Sequence, residues 1–219
     1  MGIRSVAPFI TVLIAALTLS GCETVYYDAL EKIGIPKRDV LIDRIESAQE
    51  AQEDGQQQFK DALEQFQAVV NFDGGELQTV YEQLNDEYED SVDAAETISS
   101  RIDSVESVAN ALFDEWRDEL NEYTNARYRR DSERQLKATE RRYTRLMSSM
   151  RKAESSVNPV LNTLKDNVLY LKHNLNARAI ASLKGELGTV NQDVAALVAT
   201  MQSAIDESNA FIAELKQEG

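Results

Sequence analysis

The side chains that carry most enzyme chemistry are scarce in this chain. Among 219 residues there is one histidine, His173, and one cysteine, Cys22. A disulfide is therefore excluded, and so is any metal centre built on several histidines or thiolates. His173 stands in Lys172-His173-Asn174-Leu175-Asn176, and a catalytic role would need a partner that the composition does not supply. It reads as a residue closing a helix, where a cation meets the negative end of the helix dipole favourably. A pH-sensitive contact is the alternative. Ser149-Met150-Arg151-Lys152 has the serine–lysine spacing of penicillin-recognising enzymes, but their companion SDN and KTG elements do not occur. Asp73-Gly74-Gly75-Glu76 lacks the alternating acids of a calcium loop and reads as a turn. No catalytic residue, cofactor or metal is expected.

Cys22 is the exception, because its context suits a modification. It ends Leu19-Ser20-Gly21-Cys22, which follows Arg4 and an apolar stretch from Val6 to Leu19. That stretch is shorter than the roughly 20 residues needed to span a bilayer, as in an export signal. The four residues resemble the lipobox of bacterial lipoproteins, in which a signal peptidase cuts before the cysteine and its thiol is thioether-linked to diacylglycerol. Small residues at 20 and 21 let the extended chain enter a protease, and the thiol is the only good nucleophile nearby. An ordinary secretory peptide with a coincidental cysteine is the alternative. Several acyl chains on one residue anchor durably, since each buried CH₂ contributes about 0.8 kcal/mol. Glu23, where aspartate would favour inner-membrane retention in enteric-type sorting, points to the outer membrane with the body facing the periplasm.

The elements behind these residues are helical. Residues 1–21 read as the signal, 22–36 as a lipidated tether and 37–219 as one domain. Three prolines in the chain leave none between Pro36 and Pro159, and aromatic residues are only 7%. Apolar spacing alternates four and three through Leu41, Ile45, Ala48, Gln52, Gly55, Phe59, Ala62, Phe66 and Val69. The pattern resumes from Tyr81 to Trp116, and again from Leu183 to Leu215. Such sustained 3.5-residue spacing predicts an all-α, elongated antiparallel bundle or coiled coil of about four long helices. The helices are expected at about 37–71, 76–123, 132–175 and 179–217. Asp73-Gly74-Gly75 marks the first turn, and Ser132-Glu133-Arg134-Gln135 reads as a capping box opening the third helix. Pro159 is expected to kink that helix, the alternative being that it starts a new one.

Charge is uneven as well as large. The chain carries a formal −15, yet residues 73–122 hold 16 acids and two bases while residues 127–152 hold ten bases and three acids. A hairpin turning near residue 126 would lay the basic segment along the acidic one, with Trp116 beside Leu136, Ile102 beside Met150 and Leu84 beside Val168. Exposed pairs are worth only about 0–1 kcal/mol each, but as a set they favour one pairing. Basic residues interleaved with Tyr128 and Tyr143 would raise nucleic-acid binding in a cytosolic protein. The export signal and the acidic total argue against it, so no nucleic-acid partner is expected. Pairing about Gly74 would leave the second helix overhanging the first beyond about residue 108. Arg127, Arg129 and Arg130 would then face the membrane, ready to engage lipid phosphates or lipopolysaccharide.

Several stretches have a familiar look: Glu31-Lys32-Ile33-Gly34, KRDVLIDRIESAQEAQ at 37–52, FDGGELQTVYEQLNDEYEDS at 72–91, ALFDEWRDEL at 111–120 and YLKHNLNARAIASL at 170–183. Together they resemble a family of bacterial lipoproteins, domain of unknown function 2959, over nearly the whole chain after Cys22. The resemblance implies a mainly helical envelope lipoprotein with no assigned activity.

The expected role is that of a lipid-anchored envelope protein, a non-enzymatic helical scaffold or adapter. Its partners would be the membrane, through lipidated Cys22, and an envelope protein of unknown identity. The tip farthest from the anchor, with Gly74, Gly75, His173 and Asn174, is the candidate docking end. Self-association is a further possibility, with Gln52, Gly55, Ser91 and Ser208 as small or polar core positions. The alternative of another class is an accessory or activator of a cell-wall or lipid-modifying enzyme, or a weakly recognisable hydrolase.

Overall fold

Apolar stripes at heptad spacing need covering, and four long helices cover one another in a ring. The computed structural model describes residues 27, 30, 31 and 34–217. Within them lie α1 (Lys37–Val70), α2 (Leu77–Glu119), α3 (Ala126–His173) and α4 (Ala177–Gln217), and no strand. α1 packs on α2, α2 on α3, α3 on α4, and α4 returns to α1. The chain is an up-down-up-down bundle closed by its last helix. One end holds the α2–α3 turn, the start of α1 and the end of α4. The other end holds the α1–α2 and α3–α4 turns.

The core is the heptad pattern made solid. Every position from Leu41 to Val69 in the first predicted run is buried in α1. In α4, Leu183, Val190, Val194, Leu197, Met201, Ala204, Ser208, Phe211 and Leu215 form the matching stripe. Gly55 sits where α1 crosses two neighbours. A Cβ there would lie 2.7 Å from Ile98 Cδ1 of α2 and 3.7 Å from Met201 Cε of α4. A side chain there could be admitted only if the end of Ile98 shifted.

The turns show where local chemistry outranked the predicted boundaries. Gly74 and Gly75 adopt φ of 149° and 118°, which side chains disfavour, and the α1–α2 turn falls on them as expected. α3, however, opens at Ala126, six residues before the predicted capping box. Asn125 Oδ1 accepts from the Arg127 N–H at 2.9 Å and caps the helix, and asparagine is as good an N-cap as serine. Ser132 is instead buried inside α3, where its hydroxyl accepts from Trp116 Nε1 at 2.8 Å. Pro159 lies within α3 on its exposed face rather than starting a helix.

The hairpin register holds, but its electrostatics differ from expectation. Phe113 meets Tyr143 with ring centroids 5.2 Å apart, and Ser99 Oγ donates to Glu154 at 2.6 Å. Arg151 bridges Asp103 of α2 at 2.7 Å and Glu154 of its own helix at 3.0 Å, and also reaches Glu106. Two other arginines of the basic segment turn to α4: Arg142 to Glu214 at 2.8 Å and Arg145 to Glu207 at 3.5 Å. The reason is register. The basic residues end at Lys152, which lies level with about Ser99, so the seven acids from Glu82 to Glu96 stand opposite a nearly neutral stretch of α3.

Candidate functional site

Two ends and one strap concentrate what the bundle can offer. The strap precedes α1. Tyr27 is buried, with its hydroxyl 3.2 Å from Ser107 Oγ of α2, and Leu30 packs on the core. The backbone then turns at Gly34, φ 89°, whose N–H donates to the Glu31 carbonyl at 2.9 Å as in a helix C-cap. Lys37 comes next. Its ammonium is buried and held by Glu31 at 2.8 Å and Glu115 at 3.3 Å. Burial pushes the Glu115 carboxyl above its ordinary range, Glu31 adds to the shift, and Lys37 pulls against it. Part of the segment read as tether is thus folded against α2. Lys37 meeting Glu115 also shows that α1 reaches farther along α2 than residue 108, so the overhang is shorter than expected.

The end with the α2–α3 turn carries Arg127, Arg129 and Arg130, all exposed. Arg127 Nε approaches Asp131 at 4.0 Å, whereas Arg129 and Arg130 close no ion pair among the described residues. Tyr123 and Tyr128 are also exposed there, at 42% and 59%. The arginines stand out in the sequence as a charged run, whereas tyrosines beside a turn give no periodic signal.

At the opposite end, the topology brings Gly74, Gly75, His173 and Asn174 together. The glycines and His173 are exposed. Asn174 is half-buried, and its amide Nδ2 donates to the Tyr170 carbonyl at 2.9 Å, so it closes α3 rather than projecting. Leu169, Tyr170 and Leu175 expose apolar surface beside it. Asn176 caps α4 by accepting from the Arg178 N–H at 3.0 Å.

Elsewhere the surface offers shallow hollows. The one beside Asp93, Glu96 and Arg101 is lined from a single helix, and a groove between α3 and α4 runs past Asp166, Asn167 and Ser182. No group of three or more histidine, cysteine, aspartate or glutamate side chains among the described residues is placed to hold a metal. No described helix is long and apolar enough to cross a membrane. The small and polar positions Gln52, Gly55, Ser91 and Ser208 are all buried within the chain's own helices. Leu19, Ser20, Gly21 and Cys22 lie outside the described residues.

A family described as "Protein of unknown function (DUF2959)" has a sequence model that matches residues 26–215. The chain belongs to that family. Comparison with curated proteins and with solved structures finds no match. The matched span takes in Tyr27, Glu31 and Lys37 together with all but the last residues of α4, so strap and bundle fall within one family unit.

Proposed function

We propose that this member of the family is a lipid-anchored protein of the bacterial envelope, placed at the outer membrane and facing the periplasm. It works there as a non-enzymatic helical scaffold or adapter. The observation that carries the reading is the chain's sole cysteine at the end of Leu19-Ser20-Gly21-Cys22, a short step ahead of a rod with a continuous apolar core. Supporting it, the rod's polar groups lie on long outer faces, and its distal end offers Leu169, Tyr170 and Leu175 beside two turns. Apolar side chains grouped at a tip suit a protein partner better than solvent.

The anchor is tested first. The full chain produced in a bacterium should partition into detergent and carry acyl chains on Cys22 by mass spectrometry, and Cys22→Ser should abolish both. The adapter role is tested by a photo-crosslinking residue at His173 in living cells. One reproducible envelope protein should be captured from that position and not from mid-rod positions such as Ser100. Uniform labelling along the rod would refute docking through the tip.

A further inference from the structure

The strap limits how far the bundle can stand from a lipid at Cys22, a limit that rests on the anchor proposed above. Tyr27 is held at Ser107, and Ser107 is twelve residues short of the end of α2. At 1.5 Å per residue, the Leu120–Asn125 turn lies roughly 20 Å beyond the strap's attachment. Between Tyr27 and Cys22 there are only five residue steps, which span at most about 18 Å when fully extended. Tyr27 therefore stays within about 18 Å of the bilayer surface. The distal end cannot point downwards, because it lies roughly 45 Å from Ser107 along α2. Two postures remain: the Leu120–Asn125 end down on the lipid, or the whole rod lying flat.

Charge separates them. A flat rod lying on its strap-bearing side would bring α2's shaft to the surface, where seven carboxylates from Glu82 to Glu96 stand without a base. Anionic lipid repels that stretch. At the turn, Asp118, Glu119 and Glu122 sit on the α2 side and the three arginines on the α3 side. Arg129 and Arg130 close no ion pair among the described residues, although the Arg129 charge acts on Glu133, and Tyr128 is exposed between Arg127 and Arg129. Tyrosine with arginine is the pairing that settles at the headgroup layer, the ring among glycerol groups and the guanidinium on phosphate.

We propose that the docked strap holds the Leu120–Asn125 end of the bundle against the phospholipid surface, α3 side down, with Tyr123 and Tyr128 in the headgroup layer and Arg127, Arg129 and Arg130 on lipid phosphates. The distal tip is thereby raised away from the membrane. The strap acts as a brace rather than as slack.

The full chain, made in a bacterium and reconstituted into phosphatidylethanolamine–phosphatidylglycerol vesicles, tests this. A fluorophore is placed at Asn121→Cys or, as control, at Gln78→Cys, and nitroxide-bearing lipids serve as quenchers. Quenching at position 121 should exceed that at 78 several-fold. Glu122→Cys serves as a second tip position. Releasing the strap with Tyr27→Ala and Lys37→Ala should at least halve tip quenching while flotation with vesicles persists. The triple change Arg127→Glu, Arg129→Glu, Arg130→Glu should do the same. Equal quenching at 121 and 78 means a flat rod and overturns the proposal. So does an unquenched tip on a chain that floats through Cys22, and so does tip quenching indifferent to both the strap and the arginine changes. A chain that floats no better than Cys22→Ser overturns the anchor as well, which separates the two failures.

Discussion

At the scale of single residues, the core contains an amide that the helices do not satisfy. Gln52 is fully buried in α1, and neither Nε2 nor Oε1 has a hydrogen-bond partner. Its neighbour Gln49 does better, donating to the Ile205 carbonyl at 3.2 Å. Leaving buried polar atoms unpaired costs about 1–3 kcal/mol, so Gln52→Leu, of similar volume, should raise the urea midpoint by a corresponding amount. A lowered midpoint would mean that the amide has an important partner, such as buried water. The Glu115 carboxyl makes a second prediction. Its pKa is raised in the folded state, chiefly by burial, so the folded protein binds a proton more readily than the unfolded chain. Its contribution to stability therefore grows as pH falls through the folded pKa towards the unfolded one. The difference in urea midpoint between wild type and Glu115→Gln should shift in favour of wild type between pH 7 and about pH 4.5. The two residues differ in how legible they were. Gln52 held a heptad position, but the burial of Lys37 beside Glu115 depends on carboxylates from two other segments, which no local pattern records.

Helices set the next scale, and Gly55 is where their spacing is decided. Alanine there gains about 1 kcal/mol of helix propensity, but its Cβ meets the end of Ile98 at 2.7 Å. Gly55→Ala should thus be close to neutral alone. Combined with Ile98→Val, which removes the offending methyl, it should be more stable than the sum of the single changes by at least about 0.5 kcal/mol. Strict additivity in a double-mutant cycle would show that α1 and α2 do not meet as closely as this. Helix number, order and buried faces were legible because a 3.5-residue repeat leaves little choice of inward face. Boundaries were less so. Ser132 carried a capping signal, yet the indole of Trp116 uses its hydroxyl, and Asn125 takes the cap seven residues earlier. The charge argument found the right hairpin for an incomplete reason. Arg151 bridges α2's acids while Arg142 and Arg145 pair with α4, and the ring contacts carry the register.

For the whole molecule, length is the defining quantity. α3 alone has 48 residues and extends about 72 Å. Small-angle scattering on a monomer of residues 23–219 should give a maximum dimension of about 80 Å. End-to-end pairing would nearly double that, and sedimentation would report twice the mass. Gln52, Gly55, Ser91 and Ser208 are buried within the chain's own helices, so self-association would use other surfaces, and a monomer is the expected result. The candidate sites divide in the same way. Which residues share an end followed from topology alone, whereas the strap docked on α2 emerged only once Tyr27 was seen against Ser107.

The closing contact of the ring also sets an order of assembly. Gln49 waits for Ile205, and Glu46 for Lys216 at 3.1 Å, partners that lie on α4, the last of the four helices to be made. Until they arrive, the face of α1 that includes Phe59 and Phe66 has only the second helix to shelter it. A chain that folds as it emerges N-terminus first therefore spends much of that time as a half-built hairpin with an open apolar groove. Its quality control rests on α4, and shortening that helix by even a few heptads should expose the whole length to proteases rather than trim one end.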